Sequence, residues 1–170
     1  MASKAVVDAV KARQAANWTA APVYYPNVTF KPPAAFTPFV VCEFPVGMGE
    51  RLTVANEGTH RENGTFRFVV HVKVGSSLDT ALTLAEDLAA VFRSVRFAGV
   101  QTWAPSPPIA VGEDGAWYKV SFSVPYTYFI TPPRPASDEP TAPEGFALVT
   151  HNGDYVTDSS GNHYITTEAL

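Results

Sequence analysis

The clearest signal in the chain is an alternation. From residue 66 to 74, Phe66, Phe68, Val70, Val72 and Val74 occupy every second position, which predicts a strand with one fully apolar face. Directly after it, Leu78, Ala81, Leu82, Ala85, Leu88, Ala89, Phe92 and Val95 recur at helical spacing. Ser76 and Ser77 open that helix, Asp79 complements its dipole, Arg93 and Arg96 suit its last turn, and Gly99 is expected to end it. A second alternation over 117–130 sets Val120, Phe122, Val124, Tyr126 and Tyr128 on one side, and Pro125 within it predicts an edge position or a bulge. A helix laid across paired strands gives a two-layer core.

Weaker patterns fill the rest. Residues 3–17 are Ala-rich with Val6, Val7 and Val10 near a helical period and Ser3 available as N-cap. Residues 18–38 mix five prolines with Trp18, Tyr24, Tyr25, Phe30 and Phe36, predicting an extended arm pinned by aromatic side chains. Residues 39–44 and 51–54 are β-formers, and the glycines of 45–49 suggest a hairpin turn between them. The polar run 56–63 predicts an exposed loop. Short strands are expected at 100–103 and 109–111, with a reversal at Glu113-Asp114-Gly115.

Composition changes at Thr131. Five prolines in thirteen residues predict a semi-rigid linker over 131–144, and short β-prone pieces separated by Asn152-Gly153 and Ser159-Ser160-Gly161-Asn162 predict a small β-rich extension over 145–170. The expected fold is therefore α+β over residues 1–130: a mixed or antiparallel sheet with an N-terminal helix and one long helix packed on one face.

Charge and chemistry narrow the function. The net charge of −4 and the lack of any dense Lys/Arg cluster argue against a dedicated nucleic-acid binder. The single Cys42 forms no internal disulfide, and its apolar neighbours keep a thiol protonated. No signal peptide or membrane-length apolar run is visible, so synthesis in the cytoplasm and no membrane partner are expected. His60, His71, His151 and His163 have no zinc spacing. Asp154, Asp158 and Asn162 could surround a hard cation, but Asp and Asn beside Gly serve tight turns equally well. No nucleophile elbow or phosphate loop occurs, and Glu57 and Glu62 beside His60 sit in a run too exposed to tune a catalytic carboxylate. The expectation is a non-enzyme without a cofactor. A binding module whose tail holds a glycan or metal is an alternative.

The order of features carries a resemblance: an N-terminal helix, an arm with Pro26-Asn-Val-Thr-Phe30, a central strand opening at Asn63-Gly64, a helix over 78–95, and the Trp117-Tyr118 strand running through Val124-Pro125-Tyr126. Over about residues 1–130 this resembles the tail terminator proteins of long-tailed bacteriophages. The resemblance implies a virion protein that forms a homo-hexameric ring, caps the tail tube protein, stops its polymerisation and joins a head-completion or neck protein, with DNA only passing through the channel. A different neck or connector component is the neighbouring alternative. The contact residues expected for such a ring are Glu57, His60, Arg61 and Glu62 of the polar run and Trp18, Tyr24 and Tyr25 of the arm, since mixed charge and aromatics suit register-setting contacts.

Overall fold

The structure is a computed structural model, which describes residues 1–29, 31, 33, 36–53 and 58–130, all within the compact unit Met1–Pro132. The expected linker and β-rich extension, with His151, His163 and the Asp154/Asp158/Asn162 group, lie outside the described residues. The elements run α1 (Lys4–Asn17), β1 (Val23–Tyr24), β2 (Phe39–Arg51), β3 (His60–Lys73), α2 (Leu78–Phe92), β4 (Arg96–Phe97), β5 (Val100–Thr102), β6 (Ile109–Asp114) and β7 (Trp117–Ile130). The sheet has the order β1-β2-β3-β7-β5-β4, with β6 also paired to β7, and is mixed because β1 joins β2 in parallel while every other pair is antiparallel. Two helices and a mixed sheet make the α+β fold that the patterns predict.

The two alternating segments pair with each other in unbroken register, from His60 opposite Ile130 to Lys73 opposite Trp117. Phe66, Phe68 and Val70 meet Val124, Phe122 and Val120 on one face, and all six are buried. Helix α2 covers them with Ala81, Ala85, Leu88, Ala89 and Phe92. Its alanines keep the buried stripe low, and Phe92 drives its ring to 5.2 Å from Phe66 and 5.3 Å from Phe68. Helix α1 adds Val6, Ala9 and Val10 to the same core, and Arg13 Nε donates to the Val91 carbonyl at 2.8 Å.

Four local expectations are corrected. Residues 39–51 are one strand, with no hairpin turn at 45–49: Gly47 and Gly49 stay out of the left-handed region, and the irregularity around Pro45 is a register shift against β3 between Glu43 and Val46. The chain reverses after Arg51 instead, where Leu52 N–H donates to the Thr59 carbonyl at 2.8 Å. The polar run is not all loop, because His60, Arg61, Glu62 and Asn63 belong to β3, two strands deep in the sheet.

Helix α2 stops at Phe92 rather than near Gly99. Buried Thr102 donates its hydroxyl to the Phe92 carbonyl at 2.7 Å, and Ser94 turns left-handed at φ 51. Gly99, at φ 81 beside Ala98 at φ 44, makes the two-residue turn between β4 and β5, where two successive left-handed residues match the strand twist. Pro125 is not on an edge either. It faces Thr65 across an intact β3 ladder. Its carbonyl, on the other side, accepts from Trp103 N–H at 3.0 Å in the gap between β5 and β6, so its missing N–H leaves no ladder bond unmade.

Phe92 is the side chain on which both layers converge. Phe92→Ala is expected to cost about 3–5 kcal/mol in chemical denaturation, as aromatic truncation in a closed core does.

Candidate functional site

The register fixes two unlike faces. Even-numbered positions of β3 and β7 point at the helices. Odd-numbered ones point away, and no described helix covers them. The contact residues expected from sequence are divided by this geometry.

Glu62 points inward and is only 6% exposed. Its Oε1 accepts from the Ser3 backbone N–H at 3.0 Å and from the Tyr126 hydroxyl at 2.7 Å. Burial works to raise the Glu62 pKa, but hydrogen bonds from Ser3 and Tyr126 and the positive N-terminus outweigh it and hold the carboxyl below its ordinary value. Burial, then the bond to Glu62 and its charge, push the Tyr126 phenol well above its ordinary value. Two glycines make room for this tie. A Cβ on Gly64 would lie 2.5 Å from the Tyr126 hydroxyl, and one on Gly47 would lie 2.7 Å from the Met1 carbonyl. Glu62 therefore fastens the entry of α1 to the β3–β7 pair. The expectation that it sits in an exposed loop is overturned by the strand that carries it.

Arg61, its neighbour, points the other way and binds Glu50 at 2.6 Å, while its buried Nε has no partner. His60 is half-buried at the strand start, and Glu57 lies outside the described residues. The arm residues pack within the chain: Trp18 is buried and donates Nε1 to the Ala21 carbonyl at 2.8 Å, Tyr25 donates to Gln14 Oε1 at 3.1 Å, and Tyr24 meets Phe39 edge-on. Cys42 is buried, where desolvation pushes its thiol far above the ordinary range.

The open face is richer than its sequence suggests. Pairing lines up Arg96, Gln101, Thr127, Asn63 and Met48 as one row across five strands. Thr127 donates to Asn63 Oδ1 at 2.9 Å, and Trp103 Nε1 reaches Thr127 Oγ1 at 3.4 Å. Beside the row lies a cavity of about 300 Å³ lined by Arg61, Arg96, Gln101, Trp103, Thr127 and Phe129, with Trp103 54% and Phe129 49% exposed. At the opposite end of the same face, Glu43 and Arg67 pair at 2.5 Å near His71, whose imidazole burial pushes below its usual value. Sequence reading missed Arg96, Gln101, Trp103 and Phe129 because register, not local pattern, brings them together. Exposed Trp103 beside Arg96, which has no ion pair among the described residues, is the composition of a protein-binding surface, and the described residues hold no group of three or more potential metal-ligating side chains.

A family model described as phage tail terminator protein matches residues 5–126. No curated protein matches the sequence. Nine chains of solved structures match. One of them, 21% identical, covers 78% of this chain and 99% of its own with a TM-score of 0.50, a likeness of fold alone.

Glu62→Gln is expected to destabilise the fold by about 1–2 kcal/mol at pH 7, because it replaces charge-assisted hydrogen bonds with neutral ones. A carboxyl whose folded pKa is depressed contributes stability above its unfolded value and loses it as pH falls through the folded one. The gap between wild type and variant should therefore close in denaturant titrations taken from pH 7 down to below the ordinary glutamate range.

Proposed function

This chain belongs to the phage tail terminator protein family, and from that premise we propose that it assembles into a hexameric ring which caps the tail tube, ends its polymerisation and offers the head or neck proteins a surface to join. Membership makes it a structural protein of a phage tail, a component of the virion. Its work in this reading is recognition and blocking, not bond chemistry.

The observation that best supports the ring is the second face of the sheet, which no described helix covers. Two helices cover one face, while the other exposes Met48 at 69%, Trp103, Phe129 and Ile109. A sheet with one buried and one solvated face normally puts polar residues on the solvated side. Large apolar and aromatic side chains there are the mark of surfaces that become buried on assembly. A ring subunit needs such surfaces toward its neighbours and toward the tube. Of the contact residues that the polar run suggested, Arg61 is the one this proposal keeps at an interface, while Glu62 holds the subunit together. The net charge of −4 suits a channel through which DNA passes, since like charge suppresses phosphate adhesion.

Light scattering over a concentration series should give the mass of a hexamer of the 18.3 kDa chain, and negative-stain images of that fraction should show six-fold rings with an axial hole. Rings added to polymerising tube protein should stop elongation. A species that stays monomeric both alone and on preformed tubes would overturn the reading.

A further inference from the structure

Resting on the ring reading above, one contact between copies can be specified. The groove that Trp103 and Phe129 frame carries two cations. Arg61 spends one nitrogen on Glu50 and leaves Nε without a partner, and Arg96 has no ion pair among the described residues. A groove with aromatic walls and the exposed Arg96 guanidinium fits a partner that presents an acid.

The β6–β7 hairpin of the same chain has that chemistry. Every residue of β6 is exposed, including Ile109 at 62% and Val111 at 52%. The end of β6 next to the turn bears Glu113 and Asp114; Asp114 is held by Lys119 at 2.6 Å, while Glu113 has no ion pair among the described residues. Strand β6 also borders the sheet among the described residues, where its only pairing is with β7. An exposed apolar border strand of this kind invites association unless something covers it. Within one copy Glu113 and Arg96 cannot meet, since Glu113 lies opposite Tyr118 and Arg96 lies in the row of Thr127. The turn precedes Trp117 at one end of β7, Phe129 lies at the other end, and twelve residues of extended strand separate them by about 40 Å.

We propose that the acidic β6–β7 hairpin of one copy docks into the Arg61–Arg96–Trp103–Phe129 groove of the next, with Glu113 answering Arg96. The contact joins two different patches, which is the relation a head-to-tail ring requires.

Arg96 and Glu113 are both exposed, so their exchange leaves the core intact, and unchanged circular dichroism and melting temperature would verify it. Arg96→Glu alone and Glu113→Arg alone should each lower the assembled fraction about tenfold at a fixed concentration, because each sets like charges together. An equimolar mixture of the two variants should recover wild-type assembly, since alternating copies then oppose unlike charges at every contact. Rings that survive both single variants would overturn the contact and leave the ring reading standing. Loss in both variants without recovery on mixing would overturn the pairing of these two residues. Wild-type protein that never assembles would overturn the contact together with the ring.

Discussion

Everything in this subunit hangs on the ladder between β3 and β7. Two strands of fourteen residues each stay in register along their whole length, and since side chains alternate with a period of two, a slip of one residue would turn every core position outward. Phe66, Phe68 and Val70 facing Val124, Phe122 and Val120 make that slip very costly. The ladder also sets the places of the remaining strands: β2 on the free side of β3, and β5 and β6 one after the other along the free side of β7. Pro125 marks the junction between those two short strands, so the residue that looks like a defect in the strand falls where the sheet needs no donor.

The end of the ladder around Glu62 and Tyr126 is tied to the entry of α1. There the chain places Gly64 beside Tyr126 and Gly47 beneath Met1, and closes the space with the Glu62 carboxylate. The buried charge is tolerated because two donors and the N-terminal ammonium answer it. One strand thus carries, at adjacent positions, an inward carboxylate that fixes the N-terminal helix and an outward guanidinium that faces solvent. Subunit integrity and surface chemistry are coupled through the pleat itself.

How much of this was legible in sequence follows from what each feature depends on. The period-2 runs and the helical stripe of α2 are local, and they gave the central pair, the long helix and the α+β class. The hairpin at Pro45-Gly49 was misread because its glycines suggested a turn, whereas Gly47 answers a close approach by Met1, a contact from forty-six residues away. The end of α2 was misplaced for a similar reason: Thr102, not a nearby glycine, supplies the capping group. The polar run was read as solvated loop because alternation of charged residues says nothing about which of them finds a buried partner. Arg61 was singled out, but its companions Arg96, Gln101 and Phe129 come from three other strands and Trp103 from just beyond one of them, and only the register joins them.

The one-sided architecture bears on how such a subunit stays soluble before it assembles. A face that no described helix covers, and that exposes large apolar side chains, invites wrong association as well as right. On this sheet the apolar groups are spaced among charged pairs, Glu50 with Arg61, Glu43 with Arg67 and Asp114 with Lys119, all on exposed or half-exposed side chains. Surface pairs of this kind contribute little to stability, about 0–1 kcal/mol each. Their effect is on specificity: any partner that buries the face must satisfy or leave intact the same charges, and a surface with the wrong pattern pays to strip water from them. Exposed aromatics set in a lattice of ion pairs therefore favour a partner of matching charge over indiscriminate hydrophobic contact, which is the discrimination a tail component must exercise among many copies of other virion proteins.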